Sequence, residues 1–553
     1  MMRDVFTFIV GGKAGEGVKK SGLVASSMLA DLDRNLFQMD DYQSLIRGGH
    51  NFAVVSSSAD ALTSHHLLAQ LIVCLDERSY HLHRHELAEG GVLVYNSDVM
   101  SAEDGIGLPM TSEARPYPRP DLRVGVASIT VLAVALGHDM AYIEKVIERE
   151  YKRDLEHNVA YASRIFELAA PTLAGRFPLA RGHAQGKALY GSEAISLGAI
   201  AGGLDLYMAY PMTPSSPILH YLAAEGPKYG VHALHLESEV SVANMAVGSA
   251  FAGARTAVGT SGGGFALMTE AFSLAGIMEA PVLFILASRP GPSTGVPTYT
   301  EQADLKFAIG AGHGDFPRIV ASPGTVEESF YLTADLLDLA WRFQSPTILL
   351  TEKHLTESCM NATPDAARAA WAQGEMYQGH EGDYKRYLCT ESGVSPLLHP
   401  PSSEVIKWSS YEHDEVGITT DEPGPIAAMH DKRQRKHESI VEHLRGIRTV
   451  SVFGDGGPVI FTYGSSTMSV LEALRTGGIQ ATVVQPIYLE PFPVWEVERY
   501  RGSNPIVVEQ SVSGQFANLI REQTGITSDR HIRRYDGRPF EPSELAQQIK
   551  DLI

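Results

Sequence analysis

The sequence predicts a multidomain α/β protein built around a doubly wound parallel sheet. Between residues 187 and 360, short near-continuous apolar segments alternate with longer amphipathic ones, the pattern of parallel strands covered by helices on both faces. At 553 residues the chain also exceeds what one hydrophobic core can hold, so about three or four domains are expected.

The elements follow in order. Residues 1–180 read as one α/β unit whose first strand, Val5–Val10, runs into Gly11-Gly12-Lys13-Ala14-Gly15-Glu16-Gly17 and then a helix to Ala30. Further strands are expected at Asn51–Ser56, Leu71–Leu75 and Gly91–Tyr95, with helical stretches between them. Pro109–Pro120 reads as irregular, a helical region follows to Leu173, and Ala180–Gly186 reads as a linker. In residues 187–360 strands are expected at Leu204–Ala209, Ala233–Leu236, Thr256–Thr260, Val282–Ala287, Arg318–Ala321 and Thr347–Thr351. Helices are expected at Glu239–Gly253, Ala266–Glu279 and Thr325–Arg342. Residues 361–450 are polar and poor in strand signals, with His430–Arg435 as the solvated start of a helix. Residues 451–553 return to α/β, with strands at Val459–Tyr463, Ala481–Pro486 and Pro505–Glu509.

Composition narrows the function. A net charge of −20 argues against nucleic acid and against an anionic membrane surface, both of which call for clustered Lys and Arg. No apolar run reaches the roughly 18 residues of a membrane span. Cys74, Cys359 and Cys389 are far apart and form no Cys-x-x-Cys, so no local zinc or iron–sulfur site is encoded. Sparse cysteine suits a reducing, cytoplasmic setting.

Four expected strand ends carry polar or glycine-rich turns. Pro211 and Pro214 stiffen Tyr210-Pro211-Met212-Thr213-Pro214-Ser215-Ser216-Pro217, which offers three hydroxyls where open α/β sheets bind ligands. The same turn reads equally as a helix start capped by Ser215 or Ser216. Next comes His235-Leu236-Glu237-Ser238-Glu239, whose carboxylates sit where a strand becomes a helix; one alone could simply complement the helix dipole. Thr260-Ser261-Gly262-Gly263-Gly264 reads as a turn open to close approach. The loop Ser288-Arg289-Pro290-Gly291-Pro292-Ser293-Thr294-Gly295 presents one arginine able to grip a carboxylate. Gly11–Gly17 is either a close strand–helix turn or a cradle for a diphosphate. Of His81, His83 and His85 only the outer two share a helical face, and they read as incidental on a solvated helix.

Taken together, these residues resemble the 2-oxoacid:ferredoxin oxidoreductase α subunits. Tyr210–Ser216 is similar to that family's Tyr-Pro-Ile-Thr-Pro-Ser-Ser signature, with Met212 in the isoleucine position. The resemblance continues through Glu237–Glu239, Thr260–Gly264, Arg289–Gly295, Gly312–Arg318, Glu412–Glu415 and Ser513-Gly514-Gln515. Residues 1–180 resemble the family's γ domain, with Gly11–Gly17 and Arg47-Gly48-Gly49-His50 in place, so the chain reads as a fused γ–α subunit. The expected regions are a γ domain (1–180), a pyrimidine-binding thiamine domain (187–360), a connector (361–450) and a transketolase C-terminal-like domain (451–553).

The resemblance implies oxidative decarboxylation of a 2-oxoacid with coenzyme A, giving an acyl-CoA, CO₂ and reduced ferredoxin. It implies that Glu239 is the catalytic carboxylate on the aminopyrimidine of thiamine diphosphate, that Thr213, Arg289 and Ser215 contact the substrate, and that Gly262 and Gly263 border the cofactor. It further implies that Gly11, Gly12, Gly15, Gly17 and Arg47 contact CoA. Gly454-Asp455-Gly456 lacks the asparagine that follows it in thiamine enzymes and reads as a surface turn. Diphosphate, Mg²⁺ and the [4Fe-4S] cluster therefore fall to a separate β subunit, in an αβ or (αβ)₂ complex. Fused γ–α chains more often resemble 2-oxoglutarate enzymes, which makes 2-oxoglutarate the expected substrate. A transketolase-type subunit without ferredoxin, or a non-catalytic CoA- or nucleotide-binding subunit, are the alternatives.

Overall fold

A computed structural model describes residues 4–43, 49–379 and 383–553. From the N-terminus come β1 (Val5–Lys13), β2 (Asn35–Tyr42), β3 (His50–Ser58), β4 (Ala69–Cys74), β5 (Leu87–Asn96), β6 (Ile106–Leu108) and β7 (Lys187–Tyr190). Next are β8 (Leu206–Ala209), β9 (His232–His235), β10 (Thr256–Thr260), β11 (Val282–Ser288), β12 (Ile319–Ala321), β13 (Thr347–Glu352) and β14 (Ser358–Ala362). The chain closes with β15 (Val450–Phe453), β16 (Val459–Phe461), β17 (Thr482–Pro486), β18 (Tyr488–Glu490), β19 (Ile506–Glu509) and β20 (Arg530–Arg533).

Contacts divide the chain into two compact units. One holds residues 1–189 with 358–363 and 541–544, and the other holds 190–357, 364–540 and 545–553. Unit 1 is an eight-stranded sheet in the order β6-β5-β4-β1-β3-β2-β14-β7. Its core sets Phe8, Val10 and Val73 against the almost wholly buried Pro120–Leu136 helix.

Unit 1 corrects several expectations. Gly11 and Gly12 belong to β1 itself, paired with Phe52 and Asn51 of β3. A strand, β2, stands where none was expected, because its polar Gln38 and Asp40 are buried and bonded rather than solvated. A short helix, Met110–Ala114, lies inside Pro109–Pro120. His83 is buried, its Nε2 3.0 Å from Nε2 of His50 and its Nδ1 2.6 Å from Glu86; His81 and His85 are the exposed ones. Burial, and then His83, push the His50 imidazole down to about 4.

Unit 2 carries a seven-stranded sheet in the order β18-β12-β13-β11-β10-β8-β9, parallel except for β18 at its edge. Alternate strand residues face opposite layers: Met208, Val258, Phe284 and Leu350 enter one core, Tyr207, Ala257, Leu283 and Leu349 the other. That is the doubly wound arrangement. A second sheet, β15-β17-β16-β19-β20, shares the first of these cores through Phe461, Val484 and Val507. Gly454–Gly456 lies in the irregular turn between β15 and β16, with Asp455 exposed.

The basic run in the connector is not solvated. The Pro423–Arg445 helix buries Lys432 and Lys436, whose ammonium groups sit 2.7 and 2.6 Å from the buried Glu279 carboxylate. Arg386 completes the cluster by donating to the Glu279 carbonyl oxygen at 2.8 Å. Among the described residues no helix is long and apolar enough to cross a membrane.

Candidate active site

The sheet of unit 2 reverses its winding at β8, which has β9 on one side and β10 on the other. Such a switch point opens a crevice at the carboxyl ends of the strands. Parallel register sets Ala209 beside His235 and Gly259, Thr260 beside Leu286, and Ser288 beside Glu352. The turns after β8, β9, β10 and β11 therefore share one edge.

The turn after β8 is closed by its own serines. Met212 O accepts from Ser215 N at 2.8 Å and from the Ser215 hydroxyl at 2.8 Å. Ser215 is buried and holds the turn from within, while Thr213 sits half-buried at the tip. The Thr213 carbonyl oxygen accepts from Arg289 Nη1 at 2.8 Å, which ties the turn to the loop after β11. Both loops contain a cis proline bond, Thr213–Pro214 and Gly291–Pro292.

After β9 the two candidate glutamates part company: Glu237 is exposed and Glu239 is 4% exposed. Between them Ser238 has φ 71° and ψ 148°, a region that side chains other than glycine rarely occupy and that costs about 1–3 kcal/mol. That bend starts the Glu239–Phe251 helix and turns Glu239 inward. Its Oε1 is buried and accepts no hydrogen bond.

Thr260–Gly264 is not a free turn, because Ser261 is extended at the N-cap position and the helix begins at Gly262. The glycines are needed for packing. A Cβ on Gly264 would fall 2.7 Å from Glu239 Oε1 and 2.1 Å from Thr260 Oγ1, and one on Gly262 would fall 2.6 Å from Asp304 Oδ2. Gly263 is exposed, and a Cβ there would meet only Ser293 O, at 3.6 Å.

These elements bound a cleft of about 450 Å³ lined by Met212, Gly262, Gly263, Arg289, Thr294 and Asp304, among others. Arg289 and Asp304 are its charges. Burial lowers the Arg289 pKa and Asp304 partly restores it, while burial raises that of Asp304 and Arg289 partly lowers it. Sequence reasoning missed Asp304. Its one signal is a carboxylate in Glu301-Gln302-Ala303-Asp304, just past the proline-rich loop.

The residues fit a cofactor bound from one side. Glu239 presents an orphaned buried carboxylate oxygen, and the Ser261 hydroxyl nearby on the same edge is also buried without a partner. Native proteins leave such groups unpaired only where something else satisfies them.

In unit 1, Gly15 and Gly17 have φ of 105° and 81° and make the turn into the Val18–Ala30 helix. The Lys13 N–H already donates to Glu16 at 2.7 Å, and Gly11 and Gly12 pack against Ser79 and Leu75. Arg47 lies outside the described residues.

Comparison with known proteins gives a consistent picture. Residues 197–429 match the family described as pyruvate flavodoxin/ferredoxin oxidoreductase, thiamine diP-bdg, and residues 7–168 the one described as pyruvate ferredoxin/flavodoxin oxidoreductase. The 2-oxoacid:ferredoxin oxidoreductase 2 subunit alpha of Aeropyrum pernix is 29% identical over 99% of this chain and 97% of its own. The 2-oxoglutarate synthase subunit KorA of Archaeoglobus fulgidus is 31% identical over 60% of this chain and 90% of its own. A solved 2-oxoglutarate:ferredoxin oxidoreductase from Magnetococcus marinus, with 2-oxoglutarate, coenzyme A and succinyl-CoA bound, is 28% identical with a TM-score of 0.89 over 99% of each chain.

Proposed function

The chain belongs to the 2-oxoacid:ferredoxin oxidoreductases, and from that premise we propose that it is the fused γ–α subunit of a 2-oxoglutarate-using member. The reaction joins the acyl group of the 2-oxoacid to CoA, releases CO₂ and passes two electrons to ferredoxin. The observation that supports the site assignment is the bond from Arg289, which lines the cleft with Gly262 and Gly263, to the Thr213 carbonyl, with the buried Glu239 carboxylate beside Gly264 on the same helix start. The names of the Archaeoglobus and Magnetococcus relatives support 2-oxoglutarate as the acid.

Each residue then has a task. Arg289 has five N–H donors and gives one to Thr213 O, which leaves its fork free for the substrate carboxylate. Thr213, at the tip of the same turn, offers its hydroxyl beside that fork. Ser215 keeps the turn in shape. Gly262 and Gly263 leave room over the helix start, and the backbone N–H groups there favour negative charge. Thiamine diphosphate, when bound, supplies the carbon nucleophile and the electron sink for loss of CO₂. Toward it, Glu239 holds and returns a proton at Oε1, shielded from water.

The diphosphate, its Mg²⁺ and a [4Fe-4S] cluster are assigned to a β subunit, in an αβ or (αβ)₂ complex. Supporting this, the helices after β9 and β10 expose the apolar side chains Val240, Met245 and Leu267, 44–54% accessible. In unit 1 the turn Gly15–Gly17 is the part that fits the CoA diphosphate: nothing lies within 4 Å of an added Cβ at Gly15, and the helix it starts has no side-chain cap. A cytoplasmic location completes the proposal.

The test is co-expression with candidate partner chains. Recovery of a complex with the visible absorbance of an iron–sulfur cluster, reducing ferredoxin only when 2-oxoglutarate and CoA are both present, is the expected result. A colourless single chain with full activity would contradict it.

A further inference from the structure

Asp304 shares the cleft with Arg289, yet the guanidinium bonds the Thr213 carbonyl rather than this carboxylate. The carboxylate packs on the first turn of the Gly262–Met278 helix, 2.6 and 2.8 Å from where a Gly262 Cβ would stand. Its Oδ2 is buried without a hydrogen bond of good geometry, and the Ser288 hydroxyl is the donor placed to reach the carboxylate.

This placement is braced from both sides by the C-terminal part of unit 2. Gln302 exchanges backbone bonds with that region: its N–H donates to Gln510 O at 2.8 Å, and its Oε1 accepts from Gln510 N at 2.9 Å. Its Nε2 donates to Tyr463 O at 2.9 Å. Gln515, from the Ser513-Gly514-Gln515 motif, then grips the backbone on either side of Asp304. Its Oε1 accepts from Lys306 N at 2.9 Å and its Nε2 donates to Ala303 O at 2.6 Å. Two glutamines thus fix one carboxylate at a set place opposite one arginine.

We propose that Asp304 is a positioning residue, the built-in counter-charge of Arg289, and that it takes up a proton when a substrate carboxylate enters the cleft. The proposal rests on Arg289 being the carboxylate clamp. The physics is direct. An incoming carboxylate neutralises the guanidinium that favours ionised Asp304 and adds a second negative charge beside it. Burial also raises the Asp304 pKa, against the Ser288 hydroxyl and Arg289, and Asp304 is the carboxylate that shares the cleft with the guanidinium, so it is the group placed to respond. The ionisable groups facing it are Arg289, Tyr463 and Glu301, the last pushed up to about 6 by burial and then by Asp304. Binding should therefore weaken as pH rises, by up to about tenfold for each unit by which the ligand raises the Asp304 pKa.

The test is calorimetric titration of the assembled complex with 2-hydroxyglutarate, which keeps both carboxylates and lacks the reactive ketone, in buffers of different ionisation enthalpy. The expected result is proton uptake in the wild type and in Glu301→Gln, none in Asp304→Asn, and tighter binding by Asp304→Asn than by the wild type at alkaline pH. No uptake in the wild type, or undiminished uptake in Asp304→Asn, would overturn the coupling. Arg289→Ala separates the premise: if it loses binding while the wild type takes up no proton, only the coupling fails; if it binds like the wild type, the clamp and the coupling fall together.

Discussion

The Arg289 guanidinium donates to the Thr213 carbonyl oxygen at 2.8 Å, joining turns that follow β8 and β11, 76 residues apart. This one bond makes the arginine both a ligand group and a strut for the signature turn.

Replacing Arg289 should therefore separate charge from shape. Arg289→Lys keeps the charge and loses the planar fork, and it should raise KM for the 2-oxoacid roughly tenfold to a hundredfold, with a smaller fall in kcat. Arg289→Ala should be worse on both, because the Thr213 turn loses its support. Steady-state ferredoxin reduction by the assembled complex measures this, and an unchanged KM would remove Arg289 from the site.

Gly264 and Gly263 make a matched pair. Gly264→Ala places a Cβ 2.1 Å from Thr260 Oγ1 and 2.7 Å from Glu239 Oε1, and it should cost about 1–3 kcal/mol of stability along with activity. Gly263→Ala meets only Ser293 O, at 3.6 Å, so it should fold as well as the wild type while narrowing the cleft. Thermal unfolding and KM together distinguish the two.

Glu279 should dominate the acid stability of unit 2. Burial alone would raise its pKa, but Lys432, Lys436 and Arg386 outweigh burial and hold the carboxyl well below its ordinary value. A depressed folded pKa contributes stability above the unfolded value of about 4.3, and that stability is lost as pH falls through the folded value. Burial pushes Lys432 down and Lys436 down to about 7 even with the glutamate present, so Glu279→Gln leaves two buried lysines that must lose protons or stay unpaired, at a cost of about 3–5 kcal/mol. Urea midpoints measured across pH should fall on acidification in the wild type and change less in the variant.

Much of the site was legible because its signals are local. Proline stiffening, a glutamate at a helix start and an arginine after an apolar strand each sit within a few residues of a strand end. The turn Tyr210–Ser216 and Arg289 are joined by one hydrogen bond, and Glu239 starts a helix at the neighbouring strand end, where the alternation of strands and helices put them. What stayed hidden depends on distant partners. Lys432 read as solvated because Glu279 lies 153 residues away. β2 read as non-strand because the polar atoms of Gln38 and Asp40 are satisfied only inside the fold. Asp304 carries no motif of its own, and its position is set by Gln302 and Gln515. Glycines misled for another reason: Gly11, Gly12, Gly262 and Gly264 sit in a strand and a helix to permit close packing, not to make loops.

The central claim is that the buried, unpartnered Glu239 carboxylate serves the cofactor. The most direct measurement is 2-oxoglutarate-dependent ferredoxin reduction by the complex carrying Glu239→Gln, a change that keeps the side-chain volume and removes the charge. The account predicts a loss of about 10²- to 10⁴-fold in kcat with the complex still assembled. Full activity in that variant would contradict it.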